Sequence, residues 1–187
     1  MPLVIIVFLL IRSFVIKISE VCKHLNKDEI VTIYQIIRQA ADADGKIYIC
    51  GNGGSASTAS HFQSDLNHAF SISCNKMPAV CLTDNLAALT AAANDISYDY
   101  VFCHPLKFLL QENDIVVTIS GSGNSENVIN AANIARAKGN KVISLVGFDG
   151  GKLKSISDYS FHVRVNNMQI TEDLHLMFCH IVSSMIR

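Results

Sequence analysis

The chain has 187 residues, of which 50% are apolar and 17% charged. This length suits a single hydrophobic core, so one domain over residues 1–187 is expected. Fifteen basic and 16 acidic residues leave a formal net charge of -1. That balance disfavours nucleic acid as a partner, because backbone-neutralising binding needs a basic surface. Six cysteines without a CxxC pair favour a reducing, cytoplasmic setting.

The N-terminal stretch is the most apolar part of the chain and has two interpretations. The run from Pro2 to Ile11 is apolar enough for a leader or an anchor. As a helix to Ile16 it spans about 24 Å, short of a bilayer core of roughly 30 Å, and Arg12 interrupts it. Arg12 and Lys17 follow the apolar run, whereas a secretory leader places its positive charge before it. We therefore expect no membrane association, and either a helix buried between subunits or a start codon placed too far upstream.

After an N-terminal helical region over residues 1–43, strand-like and helical patterns alternate. Residues 18–43 are predicted to form a helical region, within which Asn26 or Asp28 is a plausible helix cap. Predicted strands lie at 46–50, 79–83, 114–119, 141–146 and 159–165, and predicted helices at 54–68, 86–93, 97–111, 125–138 and from about 169.

The alternation predicts an α/β fold over residues 44–187: a three-layer αβα sandwich around a five-stranded parallel sheet. In such a sheet, ligands bind beyond the carboxyl ends of the strands, near the point where the strand order reverses. The loops that follow the strands are therefore the places to look for a functional site.

Two loops rich in glycine and serine follow the first and third predicted strands. The first loop, residues 50–58, reads CGNGGSAST, and the second loop, residues 120–125, reads SGSGNS. Glycines let the backbone approach an anion, and the free N–H groups of a helix start attract negative charge. Neither loop matches a Walker A or GxGxxG nucleotide motif. One such loop alone is more often a turn with a helix cap, but two on one sheet predict binding of a phosphorylated sugar.

Candidate proton-transfer and metal-binding residues lie on two predicted helices. His61 and Asp65 share a helix face, and Glu172 and His180 lie within about 80° of each other on the last helix. An aldose–ketose interconversion needs a base and an acid beside the carbonyl, and a carboxylate and an imidazole suit these roles. Two histidines and two carboxylates also suit Zn²⁺. Four other histidines are assigned structural or solvated roles: His24, His104, His162 and His175.

At these positions the sequence resembles the SIS (sugar isomerase) family and, within it, the phosphoheptose isomerases. The likeness covers about residues 20–187. The matching segments are CGNGGSASTASHF (50–62), Asn94-Asp95, SGSGNSENV (120–128), GFDGGKL (147–153) and EDLH (172–175) with His180.

The resemblance implies an isomerase that interconverts sedoheptulose 7-phosphate and a D-glycero-heptose 7-phosphate through an enediol. It implies that Asp65 and His180 are the acid/base pair, and that a zinc site is formed by His61, Asp65, Glu172 and His180. It also implies a homotetramer with the N- and C-terminal helices in a central bundle and the sites between subunits. The implied substrate-binding residues are Asn52, Gly53, Gly54, Ser55, Asn94, Asp95, Ser120, Gly121, Ser122, Ser125 and Glu172.

Two of these positions depart from the family pattern. Asp65 stands where the phosphoheptose isomerases usually carry Glu, and Glu172 stands where they carry Gln. Both residues can still act as base or ligand, so we expect an active enzyme with a related substrate. Two alternatives stay open: a non-catalytic SIS module that senses a sugar phosphate or binds a protein, and an isomerase of hexulose phosphates. The first would tend to lose the acid/base residues, and the second lacks the metal-binding helix pattern.

Overall fold

The computed structural model describes residues 3–73 and 77–187, so Pro2 and Cys74 lie outside the described residues. Within them the strands are β1 (Ile47–Gly51), β2 (Ala79–Cys81), β3 (Ile115–Ser120), β4 (Lys141–Val146) and β5 (Tyr159–His162). All pairings are parallel, and the strand order is β2-β1-β3-β4-β5. The predicted α/β class with a five-stranded parallel sheet is confirmed.

Eight α-helices surround the sheet in the described part of the chain. They are α1 (Leu3–Lys23), α2 (Lys27–Asp42), α3 (Gly54–Ile72), α4 (Leu86–Asp95), α5 (Cys103–Leu109), α6 (Glu126–Ala137), α7 (Gly151–Ile156) and α8 (Met168–Ile186). A 3₁₀ turn at Tyr98–Tyr100 precedes α5.

The predicted cap at Asn26 is confirmed, because its side chain accepts a hydrogen bond from Asp28 N at 3.0 Å at the start of α2. The helical region predicted from about residue 18 begins earlier, at Leu3, and is divided into α1 and α2. The predicted helix over 97–111 is also divided, and α5 begins two residues before Pro105, which is tolerated only in a first turn. Helix α7 was not predicted, since its six residues are too few to show a helical period.

Both faces of the sheet are buried, which gives the predicted three layers. Along β1, Ile47 and Ile49 pack with α2, α3 and α8, whereas Tyr48 and Cys50 pack on the opposite face with α5 and α6. A parallel sheet covered in this way has strands that read as continuous apolar runs, as β1 and β3 do.

Helix α1 differs from the rest of the molecule because none of its residues is buried. Its apolar side chains are exposed, from Leu3 at 74% to Phe14 at 38%. Only its last turns, with Ile18 and Val21, pack against the core. In residues 3–73 and 77–187, no helix has the length and apolar character that crossing a membrane requires.

The strand order places the two glycine- and serine-rich loops side by side. Strand β1 lies between β2 and β3. The connection from β1 to β2 therefore runs toward one edge of the sheet, and the connection from β2 to β3 runs back toward the other edge. Such a reversal opens a crevice at the carboxyl ends of the strands. The first loop follows β1 and the second loop follows β3, and both therefore border this crevice.

Candidate functional site

The second loop is folded so that its serine side chains gather at the end of β3. Gly123 has a φ of +66°, and its N–H donates to Ser120 Oγ at 3.2 Å. Asn124 N donates to Ser122 Oγ, also at 3.2 Å. Ser125 precedes α6 as its N-cap residue, but within the described residues its side chain makes no capping hydrogen bond. Its hydroxyl lies instead 3.4 Å from Ser120 Oγ, available to a ligand.

A small cavity of about 110 Å³ lies between the two loops and the start of α8; we call it the loop cavity. Among its described lining residues there is no lysine or arginine, so an anion there would be held by hydroxyls and helix-start amides. The lining residues are Asn52, Ser55, Ile119, Ser120, Gly121, Ser122, Ser125, Met168 and Glu172. Seven of the predicted substrate-binding positions are thus brought together.

The first loop resembles the second in composition but presents a different surface. Gly53, with a φ of +54°, precedes α3, and Gly54 begins that helix. A Cβ atom on Gly54 would lie 2.6 Å from both carboxylate oxygens of Glu172. The carboxylate therefore rests against the start of α3, where the helix dipole favours negative charge. The start of α3 thus faces a carboxylate at Gly54, whereas Asn52 and Ser55 of the first loop line the loop cavity.

Asn52 is held in place by two residues that the sequence did not single out. Its amide exchanges a pair of 2.9 Å hydrogen bonds with the amide of Asn127, a buried residue of α6. Tyr98 Oη donates to Asn52 Oδ1 at 2.8 Å. These bonds use the amide oxygen and one N–H of Asn52, so one N–H remains for a substrate oxygen. The sequence signal for Asn127 is a polar residue on the apolar face of α6.

Two predicted substrate-binding residues lie elsewhere. Asn94 and Asp95 are exposed at the end of α4, where Asn94 Nδ2 donates to Asp95 Oδ1 at 2.8 Å. They are not among the described residues that line the loop cavity. Their role in substrate binding stays a prediction.

The second constellation is formed by His61 and Asp65 of α3 with His180 of α8; we call it the His–Asp–His group. The two histidine Nε2 atoms are 3.3 Å apart, and Asp65 Oδ2 lies 3.4 Å from His61 Nε2 and 3.9 Å from His180 Nε2. Both histidine side chains are about half exposed, and Asp65 is less so. The tight packing of α3 on α8, with the Phe62 and Phe178 rings 6.4 Å apart, fixes the three side chains on one surface.

The His–Asp–His group fits a zinc ion. Bonds of about 2.0–2.1 Å in a tetrahedral zinc site place two ligand atoms roughly 3.3–3.4 Å apart. The three side chains offer ligand atoms that all lie within 4.8 Å of one another, and two of the separations match that spacing. Two imidazoles and one carboxylate also form the kind of three-residue set that leaves a coordination position open.

Glu172, the fourth predicted ligand, is not part of this group in the described residues. Eight residues of helix separate it from His180, which is a rise of about 12 Å along α8. The residue spacing implies this axial distance as well as the shared helix face, and the distance argues against Glu172 and His180 binding one ion. Glu172 lies instead at the loop cavity. Three of the four predicted ligands are therefore brought together, namely His61, Asp65 and His180.

The buried histidine His175 has no part in either constellation. Neither ring nitrogen makes a hydrogen bond within the described chain, and burial lowers the pKa of His175 to about 4. The Val146 carbonyl is near enough to offset part of that shift, although its geometry is not that of a hydrogen bond. The ring is therefore neutral at pH 7, consistent with the structural role expected for it.

A sequence model of the SIS domain matches residues 13–147, most of the chain. The chain therefore belongs to the SIS domain family. It is 40% identical over 141 residues to a phosphoheptose isomerase of Aliarcobacter butzleri (75% of each chain) and 39% identical over 148 residues to one of Helicobacter pylori strain HPAG1 (79% and 77%).

Solved structures show the same relationship. The phosphoheptose isomerase GmhA from Neisseria gonorrhoeae superposes with a TM-score of 0.86 at 32% identity, covering 93% of each chain. A phosphoheptose isomerase from Francisella tularensis gives a TM-score of 0.90 at 28% identity, covering 100% of this chain and 98% of that one. Within its family the chain groups with these enzymes and is a phosphosugar isomerase.

Proposed function

We propose that this enzyme interconverts sedoheptulose 7-phosphate and a D-glycero-heptose 7-phosphate, with the phosphate on the second loop and the carbonyl end at the His–Asp–His group. The distance between the two constellations carries the proposal. Ser55 of the loop cavity and His61 are six residues apart on α3, a rise of about 9 Å. An extended chain of seven carbons has six bonds of about 1.5 Å. Because the chain zigzags, it covers roughly 7.5 Å end to end before its phosphate ester is added. A heptose phosphate therefore reaches both.

Asp65 is the base that takes a proton from C1 of the ketose and returns it to C2 of the enediol. His180 moves the hydroxyl proton between O1 and O2, so that the carbonyl is exchanged for a hydroxyl without net loss of a proton. The shared surface of the two side chains, with 3.9 Å between Asp65 Oδ2 and His180 Nε2, supports this division of roles. Asp65 is shorter than the family's usual Glu by one methylene, but it keeps the carboxylate that a general base requires.

The bound metal is proposed to be zinc, held by His61, Asp65 and His180. A zinc ion there would polarise the substrate carbonyl and so favour loss of the neighbouring proton. We expect about one equivalent of zinc per chain in metal analysis of the purified protein. Full activity in protein stripped of metal by a chelator would contradict this part of the proposal.

A homotetramer is the proposed assembly. The support is helix α1, whose apolar side chains from Leu3 to Ile16 are exposed over most of the helix. An apolar surface of this kind marks an interaction site, and helix packing between copies would bury it. His61 and His180 are half exposed, so a neighbouring copy could also complete the site. Light scattering should give four times the chain mass.

The test of function is a comparison of ketose phosphates with five, six and seven carbons, using NMR to identify the products. We expect kcat/KM for the seven-carbon ketose to exceed the six-carbon value by about tenfold or more, since misplacing the carbonyl by one bond disrupts proton transfer. A preference for the six-carbon substrate would support the hexulose phosphate alternative. Binding of all three without turnover would support the non-catalytic module and contradict the proposal.

A further inference from the structure

We call the segment from Gly147 to Leu153 the brace. It comprises the connection that follows β4 and the first residues of α7, and it has no role in the site described above. Its backbone is hydrogen-bonded along the second loop. Gly147 N donates to Gly121 O at 2.8 Å, and Leu153 N donates to Gly123 O at 3.0 Å. Lys152 N donates to Asn124 Oδ1 at 3.1 Å. The brace thus contacts the second loop over most of its length.

Direct backbone contact between the brace and the second loop requires glycine on both sides. A Cβ atom on Gly151 would lie 2.5 Å from Ser122 O and 2.6 Å from Gly123 O, and one on Gly123 would overlap Gly150 O. Gly151 and Gly123 also have positive φ angles of +55° and +66°. Because the atoms in contact are backbone atoms, no flexible side chain can move aside for a larger residue.

The brace is itself held in a costly conformation. Phe148 has a φ of +48°, a left-handed conformation that strains a non-glycine residue. The carbonyl of Phe148 is hydrogen-bonded to His162 Nε2 at 3.0 Å, at the end of the neighbouring strand β5. A strained residue persists only where its surroundings determine its position. Strand β5 therefore fixes the brace, and the brace fixes the second loop.

We propose that the brace is a positioning element that sets the serine hydroxyls of the second loop and thereby the affinity of the enzyme for the substrate phosphate. Gly151 is its central positioning residue. The inference rests on the proposed function in one respect, the placement of the phosphate on the second loop. It adds a determinant of phosphate affinity that lies outside the loop cavity.

The test compares Gly151→Ala with Gly139→Ala. Gly139 has a φ of +83°, and a Cβ atom there would have no described atom within 4 Å, so this control carries the backbone strain without the contact. A Cβ at 2.5 Å must displace its neighbour by about 1 Å, enough to break a hydrogen bond to the phosphate, which is worth about tenfold to hundredfold in affinity. We expect Gly151→Ala to raise the Kd for inorganic phosphate and the KM for sugar phosphate by about tenfold or more, with kcat within about threefold. Gly139→Ala should leave both constants unchanged.

A second variant keeps the test valid if Gly151→Ala does not fold. Asn124→Ala removes the bond from Lys152 N, together with the bond that Asn124 Nδ2 donates to Ser122 O at 3.0 Å, at an exposed position. It should raise the phosphate Kd by about threefold to tenfold. If Gly151→Ala folds and its phosphate affinity is unchanged, the inference is overturned. If Gly151→Ala does not fold, unchanged affinity in Asn124→Ala overturns it. If the brace variants keep their phosphate affinity while Ser120→Ala loses it, the inference about the brace fails but the proposed function is retained. Failure of the unsubstituted enzyme to bind phosphate would contradict the proposed function itself.

Discussion

The loop cavity and the His–Asp–His group are built in different ways. In the cavity the polar atoms are fixed by backbone geometry, by the paired amides of Asn52 and Asn127, and by the packing of neighbouring segments. In the group, three side chains that are partly exposed project from two packed helices. We therefore expect substrate binding and proton transfer to be separable in this enzyme. Changes in the cavity should alter KM, and changes in the group should alter kcat.

The largest effect is expected from Asp65→Asn, which removes the proposed base without changing its size. We predict a fall in kcat of about a thousandfold with little change in KM, because general-base catalysis contributes at this scale. Steady-state kinetics measure both constants. Asp173→Asn, at an exposed position on α8, is the matched control and should be neutral. A kcat for Asp65→Asn close to that of the unsubstituted enzyme would remove Asp65 from the mechanism.

The second prediction concerns the double substitution Ser120→Ala/Ser125→Ala in the second loop. Loss of the two hydroxyls that we propose bind the phosphate dianion should raise KM by about a hundredfold, since hydrogen bonds to charged groups are the strong ones. The kcat value should stay within about fivefold, because the reacting carbons lie far from the phosphate. Ser71→Ala, at an exposed position near the end of α3, serves as control. A fall in kcat with an unchanged KM would contradict the separation of the two regions.

Glu172→Gln should have a smaller effect than the serine substitutions, and it should strengthen phosphate binding instead of weakening it. Its carboxylate lines the loop cavity, so removing the charge should lower the Kd for inorganic phosphate by about tenfold through reduced repulsion. Calorimetric titration in low salt measures the change, because salt would screen it. Weaker phosphate binding by this variant would show that the carboxylate supports the anion site instead of opposing it.

The smallest effect is expected from Tyr98→Phe, which removes the hydroxyl that donates to Asn52 Oδ1. Asn127 still holds the Asn52 amide, so we predict a rise in KM of about threefold to fivefold, the scale of one hydrogen bond. Tyr100→Phe in the same short turn is the control. An effect as large as that of the serine substitutions would mean that Tyr98 itself binds the substrate.

The sheet could be predicted from the sequence because its central strands, such as β1 and β3, are buried on both faces and each ends in a distinct loop. The end of β5 was predicted three residues too late, since Val163 and Val165 remain buried after the pairing stops. The site was less accessible to sequence reasoning. Helical spacing identifies residues on one face, but the packing of α3 against α8 decides that Glu172 meets Gly54 while His180 meets His61. The bonds from Asn127 and Tyr98 likewise depend on which elements face each other.

The most direct test of the account is the transfer of solvent deuterium to carbon-bound positions of sedoheptulose 7-phosphate, followed by NMR in D₂O. We predict deuterium next to the carbonyl with the unsubstituted enzyme and its loss with Asp65→Asn, while that variant still binds the sugar phosphate with nearly unchanged affinity. Turnover without deuterium incorporation would contradict proton transfer through a solvent-exchanging base. Undiminished incorporation with Asp65→Asn would contradict the assignment of the chemistry to the His–Asp–His group.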